Sequence, residues 1–487
     1  MILHYAKLCA AAGGVDAFLI GSELVGLTTV RSSASIYPFV AALQTLAAEV
    51  KTILPAAKIS YAADWSEYFG HHPQDGTNDV YFHLDPLWAS SSIDFIGIDN
   101  YLPLSDWRDG TTHLDYVAGI RSIYDQNYLQ AGLASGENYD WFYASLSARN
   151  SQTRSLISDG AYGKPWVYRA KDFKNWWSNA HYNRPAGVQS GSPTAWTPQS
   201  KPIWFTEAGC PAIDKGSNQP NVFYDAKSSE SAVPYFSGGQ QDVQMQLSYV
   251  KAFQNYWTTS GAQNPVSNIY GAPMVDATRI FFWSWDARPY PAFPALSKIW
   301  SDADNYARGH WLNGRINAVD LAHLIAQVAL RFGFADVDVS GVEGLVDGYV
   351  LDRPLSARDA LEYLLLTFAI DAVESDGKLK FRSRRNASDI AFNADDLVEE
   401  GADKAIFSLT RAQETELPYA VRLGYVDGGL DYRTAAVSQS KLNTGSAREI
   451  TVSLPAAVGQ AQAQARVDVA LEEAWAARQN ALFIVPP

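Results

Sequence analysis

The sequence predicts an α/β fold for residues 1–315, a (β/α)8-barrel-like domain lacking the first three βα units, and an α+β to β-rich domain for residues 316–487. Three observations lead there. Short apolar runs alternate with segments of helical periodicity over the first two thirds of the chain, the pattern of successive βα units around a parallel sheet. Each apolar run ends in polar or aromatic residues, as strands do when their carboxyl ends line a reactive mouth. From residue 311 onward Trp becomes rare and the helical text turns rich in Ala and Leu. With 487 residues and 47% hydrophobic content, the chain has material for more than one packed core.

Taken in order, MILHYAKLCAAAGG reads as an amphipathic helix stopped by Gly13-Gly14. VDAFLIGSEL (15–24) is a buried strand, and FVAALQTLAAEVKTIL (39–54) a helix that starts after Pro38 and is ended by Pro55. KISYAADW (58–65) and SSIDFIGIDNYLPL (91–104) are the next strands. A long aromatic and polar excursion, 105–198, precedes KPIWFTEAG (201–209), helical text at 240–258 and the last apolar run, RIFFWSWDARPYP (279–291). An open doubly wound sheet shares the carboxyl-end rule, but no glycine-rich nucleotide loop follows any run, which favours the barrel. Beyond residue 315, a helix is expected at 318–334 and strands or turns at 337–351. A helix capped by Ser356 and Asp359 follows, then a hairpin turning at Asp376-Gly377, β-rich text around 418–437, and a helix across 457–480.

Several function classes fall away. The chain carries 38 basic against 52 acidic residues, a net charge of −14, with no local Lys/Arg cluster, so no sequence-specific nucleic-acid surface is expected. Cys9 and Cys210 form no CxxC or Cys/His spacing, and His71, His72, His83 and Asp85 match no ligand pattern; neither metal, cofactor nor disulfide framework is expected. No stretch approaches the roughly 20 apolar residues of a membrane helix, and no secretion signal or anchor is expected. The 15 Trp and 26 Tyr fit either a large core or stacking platforms for sugar rings, and composition alone favours the core.

The chemistry-bearing residues sit at the run ends. Strand interiors disfavour Glu, so Glu207 after KPIWFT is either solvated or held there for chemistry. If the last run is the eighth strand, KPIWFTEAG is the seventh and VDAFLIGSEL the fourth. Hydrolysis of a glycosidic bond with retention needs two carboxylates about 5 Å apart, and Glu23 and Glu207 fit those roles across a barrel mouth. Asp64, Trp65 and Glu67 after the fifth strand, and Asn100 and Tyr101 after the sixth, are candidate substrate contacts, with Tyr101 also a candidate hydrogen-bond partner of Glu207. So are Trp283 and Trp285 on the eighth, and Trp177 in WVYRAKDFKNWWSNAHYN (166–183), which lines a glycan cleft or packs on a neighbouring protein.

Glu207 after KPIWFT, Glu23 closing a fourth strand, Asn100-Tyr101 and Trp285 resemble the retaining clan A glycoside hydrolases. That resemblance implies Glu207 as nucleophile and Glu23 as acid/base, with Ser22 standing where the clan carries Asn. More specifically, GGVDAFLIGSEL, KISYAADWSEYFGHHPQDG, FHLDPLWASSSIDFIGIDNYLPLSDWRDG, KPIWFTEAGCPAIDKGSNQPNVF and DNYARGHWLNGR resemble the TIM-barrel-like domain of gene transfer agent tail hub proteins. Residues 316–487 resemble the phage-tail domain that follows it. The resemblance implies a tail component of a phage-like particle, assembled in the bacterial cytoplasm as a homo-oligomer with other tail proteins, whose barrel meets a cell-surface or cell-wall glycan. It also implies a longer upstream region, so that this chain is a fragment or begins at an internal start. Two readings stay open: a glycosidase, or an inactive structural or glycan-binding part.

Overall fold

Pro38 can occupy the first turn of a helix at no cost because its missing N–H has no partner there, and the helix that it opens packs one apolar stripe against a sheet. The computed structural model describes all residues except 260, 313–318, 352, 385–391, 400, 402–404, 429–431 and 486–487. Five strands form the sheet: β1 (Ala17–Ser22), β2 (Lys58–Asp64), β3 (Ile96–Asn100), β4 (Ile203–Ala208) and β5 (Val275–Phe282). They lie side by side in sequence order and every pairing is parallel. A doubly wound sheet would reverse its order at a switch point; this one advances in a single direction, as a barrel wall does. The sheet stays open, with β1 and β5 each paired on one side only among the described residues.

α1 (Ile2–Ala11) ends where Gly13 and Gly14 both take positive φ. α2 (Pro38–Ile53) buries Val40, Leu43, Ala47 and Val50, a stripe at helical spacing. α3 (Phe173–Ser178) is capped by Asp172 and α4 (Val243–Thr258) by Asp242. The outer face of the sheet supplies Ile96, Ile98, Ile203 and Phe205, none exposed, and Phe205 meets Phe253 of α4 edge-on at 5.2 Å between ring centroids.

Two expectations are corrected. The last apolar run was expected as a strand over 279–291, but β5 starts at Val275 and stops at Phe282, so Trp283 and Trp285 lie beyond it. The strand reaches back because Val275 pairs with Ile203, while Asp276 turns its carboxylate onto the hydroxyl and N–H of Thr278 instead of into the core. Part of the aromatic excursion is core: Trp166, Trp176, Trp177 and Trp196 are all buried. His181 stacks on Phe82 at 4.3 Å and on Trp196 at 5.6 Å in the same packing.

The chain divides into two compact units, Met1–Asn313 and Gly314–Pro487; the boundary expected at 315/316 lies outside the described residues. In the second unit, α5 (Leu321–Arg331), α6 (Ala357–Thr367), and the hairpin β7 (Ile370–Ser375) to β8 (Lys378–Ser383) surround one core, with β6 (Val337–Gly341) parallel to β8. Asp376 and Gly377 both take positive φ in the two-residue turn, as a primed hairpin turn requires. Ser356 accepts from the N–H of Asp359 at the start of α6. β9 (Pro418–Asp427) runs between β10 (Arg433–Ser440), antiparallel, and β11 (Arg448–Val458), parallel, the β-rich text expected around 418–437. α7 (Gln460–Ala476) buries Ala463, Val467, Leu471 and Trp475, whose indole N–H donates to Pro418 O at 2.8 Å.

Candidate functional site

Parallel register brings the carboxyl ends of four strands level. Ser22 pairs with Ala62, Asp64 with Asp99, and Asp99 with Glu207. Glu23 is the first residue past β1 and holds φ at 51°, a left-handed backbone that costs a residue with a Cβ about 1 kcal/mol or more. Two bonds to β2 keep it there: Glu23 N–H donates to Ala62 O at 2.9 Å, and Leu24 N–H donates to the Tyr61 hydroxyl at 2.6 Å. The Glu23 side chain remains open to solvent, yet its pKa is pushed up to about 7, first by partial burial and then by the charges of Asp64 and Glu207.

Glu207 is half-buried on β4. The Tyr101 hydroxyl, at the end of β3, donates to its Oε2 at 2.7 Å, which favours the anion. Burial outweighs that bond and raises the Glu207 pKa. The negative charge of Glu207 is felt at Glu23, so the rim holds an interacting carboxyl pair with different surroundings, one tyrosine-bonded and one exposed.

A third rim carboxyl was not singled out from sequence. Asp99 on β3 is fully buried, accepts from Ser22 Oγ at 3.0 Å and Thr206 Oγ1 at 2.6 Å, and has its pKa pushed up to about 7, chiefly by burial. The available signal was an acid inside the apolar strand text FIGIDN, where a carboxylate has no place without partners.

The other expected contacts divide. Asp64 ends β2 half-buried, its Oδ1 accepting from Ser66 N–H at 2.7 Å, and its charge reaches Glu23. Trp65 is partly buried against the core. Asn100 is buried; its Oδ1 accepts from Leu102 N–H at 3.3 Å and its Nδ2 has no partner among the described residues. Trp283 and Trp285 expose large indole faces, and the Trp283 N–H donates to Ala208 O at 2.8 Å, which puts the start of that segment beside Glu207. Trp177 is corrected: no part of it is exposed, and its indole N–H is spent on Lys201 O at 2.8 Å, so it offers no surface to a ligand. Gly209 sits at φ 150°, and a Cβ there would stand 2.7 Å from the Trp283 carbonyl oxygen, so only glycine fits after Ala208.

Glu67 is enclosed instead of facing the rim. It accepts from Thr28, from the Tyr61 hydroxyl at 3.1 Å and from Asp64 N–H at 3.3 Å, and burial pushes its pKa up to about 7. A carboxyl raised in this way costs the fold nothing while neutral, below its unfolded value near 4.5, and destabilises as pH rises through about 7. The urea midpoint of Glu67→Gln, taken relative to wild type, should therefore climb between pH 5 and pH 8. A difference that stays constant or falls across that range contradicts a buried acid at this position.

Beside the rim, a pocket of about 240 Å³ is lined by Val25, Thr29, Glu67, Phe69, His72 and Tyr168 among others. A second of the same volume lies in the 105–198 segment around Lys171, and neither includes Glu23 or Glu207 in its lining. His71 Nδ1 bonds the Tyr37 hydroxyl at 3.0 Å, and Asp85 is buried with His181. Among the described residues no group of three His, Cys, Asp or Glu is placed to hold a metal ion, and no helix is long and apolar enough to cross a membrane.

Residues 1–294 match the family of the GTA TIM-barrel-like domain, and residues 356–487 match the family described as "Putative phage tail protein". No curated protein matches. Among solved structures, the chain is similar to one in the virion of a native gene transfer agent (GTA) particle, 38% identical over 39% of this chain and 43% of that chain, with a TM-score of 0.37.

Proposed function

Because this chain belongs to the GTA TIM-barrel-like domain family, we propose that it is a tail component of a gene transfer particle whose first unit hydrolyses a bacterial surface or cell-wall glycan. The second unit serves assembly with copies of itself and with other tail proteins, in the bacterial cytoplasm, before the particle is released. Its match to a phage tail family supports that division of labour.

The observation that carries the enzymatic reading is the interacting pair at the rim: Glu207 bonded by Tyr101, and Glu23 with its pKa near 7. A retaining glycosidase needs one carboxylate to attack and one acid that still holds its proton at working pH. Glu207 attacks the anomeric carbon, Glu23 protonates the departing oxygen, and Glu23 then takes a proton from the water that releases the sugar from Glu207. The exposed indoles of Trp283 and Trp285 offer faces for sugar rings. Purified cell-wall and capsule glycans incubated with the full chain should yield new reducing ends whose first-formed anomer, read by proton NMR, keeps the configuration of the bond cleaved.

One observation favours a second reading, a rim that binds glycan without cutting it. Ser22 stands where an Asn amide would meet a sugar hydroxyl, and its own hydroxyl is committed to Asp99. Saturable glycan binding with no new reducing ends would decide for that reading.

A further inference from the structure

We propose that Asp99 is the positioning residue of the rim, one carboxyl that ties the residue before Glu23 to the residue before Glu207 and governs which glutamate carries the proton. The inference rests on the two-glutamate reading of the rim. Its geometric basis is that the two oxygens of Asp99 each take one hydroxyl: Oδ2 from Ser22 on β1 and Oδ1 from Thr206 on β4. These strands are not neighbours, since β2 and β3 stand between them. Asp99 on β3 reaches past β2 to Ser22 because the residue of β2 opposite Ser22 is Ala62, which has nothing beyond a Cβ to fill the gap. Register alone fixes adjacent strands; this bridge fixes the first against the fourth, and so sets Glu23 against Glu207.

The bridge is also electrostatic. Tyr61, Glu23, Asp64, Tyr101 and Glu207 surround Asp99, and no Lys or Arg pairs with it among the described residues. Two donated hydroxyls favour its anion against burial, and that anion opposes ionisation of the glutamates on either side. Burial and the charges of Asp64 and Glu207 hold the proton on Glu23 into the neutral range, and because repulsion between carboxylates is mutual an ionised Asp99 beside Glu23 adds to them. Because Ser22 and Thr206 spend their hydroxyl protons on Asp99, neither is offered to a ligand as a donor.

The test is a carboxyl titration that needs no turnover. Full-length protein carrying glutamate 13C-labelled at its carboxyl carbon is titrated by NMR, with the Glu23 and Glu207 signals assigned by their loss in Glu23→Gln and Glu207→Gln. In Asp99→Asn, which keeps the shape and removes the charge, the Glu23 midpoint should fall by about half a pH unit or more. The double variant Ser22→Ala/Thr206→Val removes both donors and leaves Asp99 in place; Asp99 then holds its proton to higher pH, and the Glu23 midpoint falls in the same direction. If Asp99→Asn does not fold, the double variant decides alone. Glu23 titrating as in wild type in the variants that fold overturns the proposal. A chain that hydrolyses no glycan still reports these midpoints, so the two failures are told apart.

Discussion

Glu207→Gln should lower glycan hydrolysis by at least about a thousandfold while leaving glycan binding within a factor of a few, because it removes the attacking oxygen and little else. Gln has nearly the same shape and can still accept the hydrogen bond that Tyr101 donates at 2.7 Å, so the rim keeps its form. Glu23→Gln should behave differently. It removes the proton donor, so substrates with poor leaving groups lose most and those with good ones lose least, and the fall in rate of wild type above about pH 7 should disappear. Turnover by Glu207→Gln equal to wild type would reject Glu207 as nucleophile. Loss of binding and turnover together would mean that the side chain supports the rim instead of acting in it.

The largest stability effect expected is at a site remote from the rim. His181 is fully buried, with Nδ1 at 2.9 Å from Asp85 and Nε2 at 2.8 Å from Trp176 O, its ring sandwiched in the aromatic packing. Replacing it with Ala leaves the buried Asp85 carboxylate with only Thr194 as a side-chain partner and opens a hole among Phe82, Trp166 and Trp196. Removing one partner of a buried hydrogen-bonded pair, with the cavity that the lost ring leaves, costs about 3–5 kcal/mol, a large part of the stability of an ordinary domain. Chemical denaturation should show the first unit of His181→Ala unfolding at a markedly lower urea concentration. His181→Ala/Asp85→Ala should recover part of the loss, since no buried carboxyl is left short of its partner. A single variant within about 1 kcal/mol of wild type would refute the burial argument.

The strands were readable because their alternation is bounded by Gly, Pro and polar residues: β1 to β4 all fall inside the expected runs. What the pattern does not carry is where a strand slips. The register shifts between Leu19 and Ser22 and again between Ile98 and Asp99, and such irregularities re-aim side chains that strict alternation would send elsewhere. Asp99 escaped notice for that reason, although an acid in an apolar strand was a clue. Trp177 failed for the opposite reason. Lys174, Asn175, Ser178 and Asn179 around it are polar, but a short helix capped by Asp172 turns the indole inward, and no local spacing announces a cap followed by so few residues. Glu23 and Glu207 could be named from strand ends, and Tyr101 as a hydrogen-bond partner of the nucleophile from the end of the preceding run; the structure makes that bond because β3 lies beside β4.

The glycine after Ala208 has a further bearing on how this rim can change. Backbone meets backbone there, with the space for a side chain already occupied by the carbonyl of Trp283. The flank of Glu207 is thus closed to variation: new preferences for ligand cannot be acquired by substitution at that corner. They must come from the exposed indoles beyond β5, while the acid keeps its post.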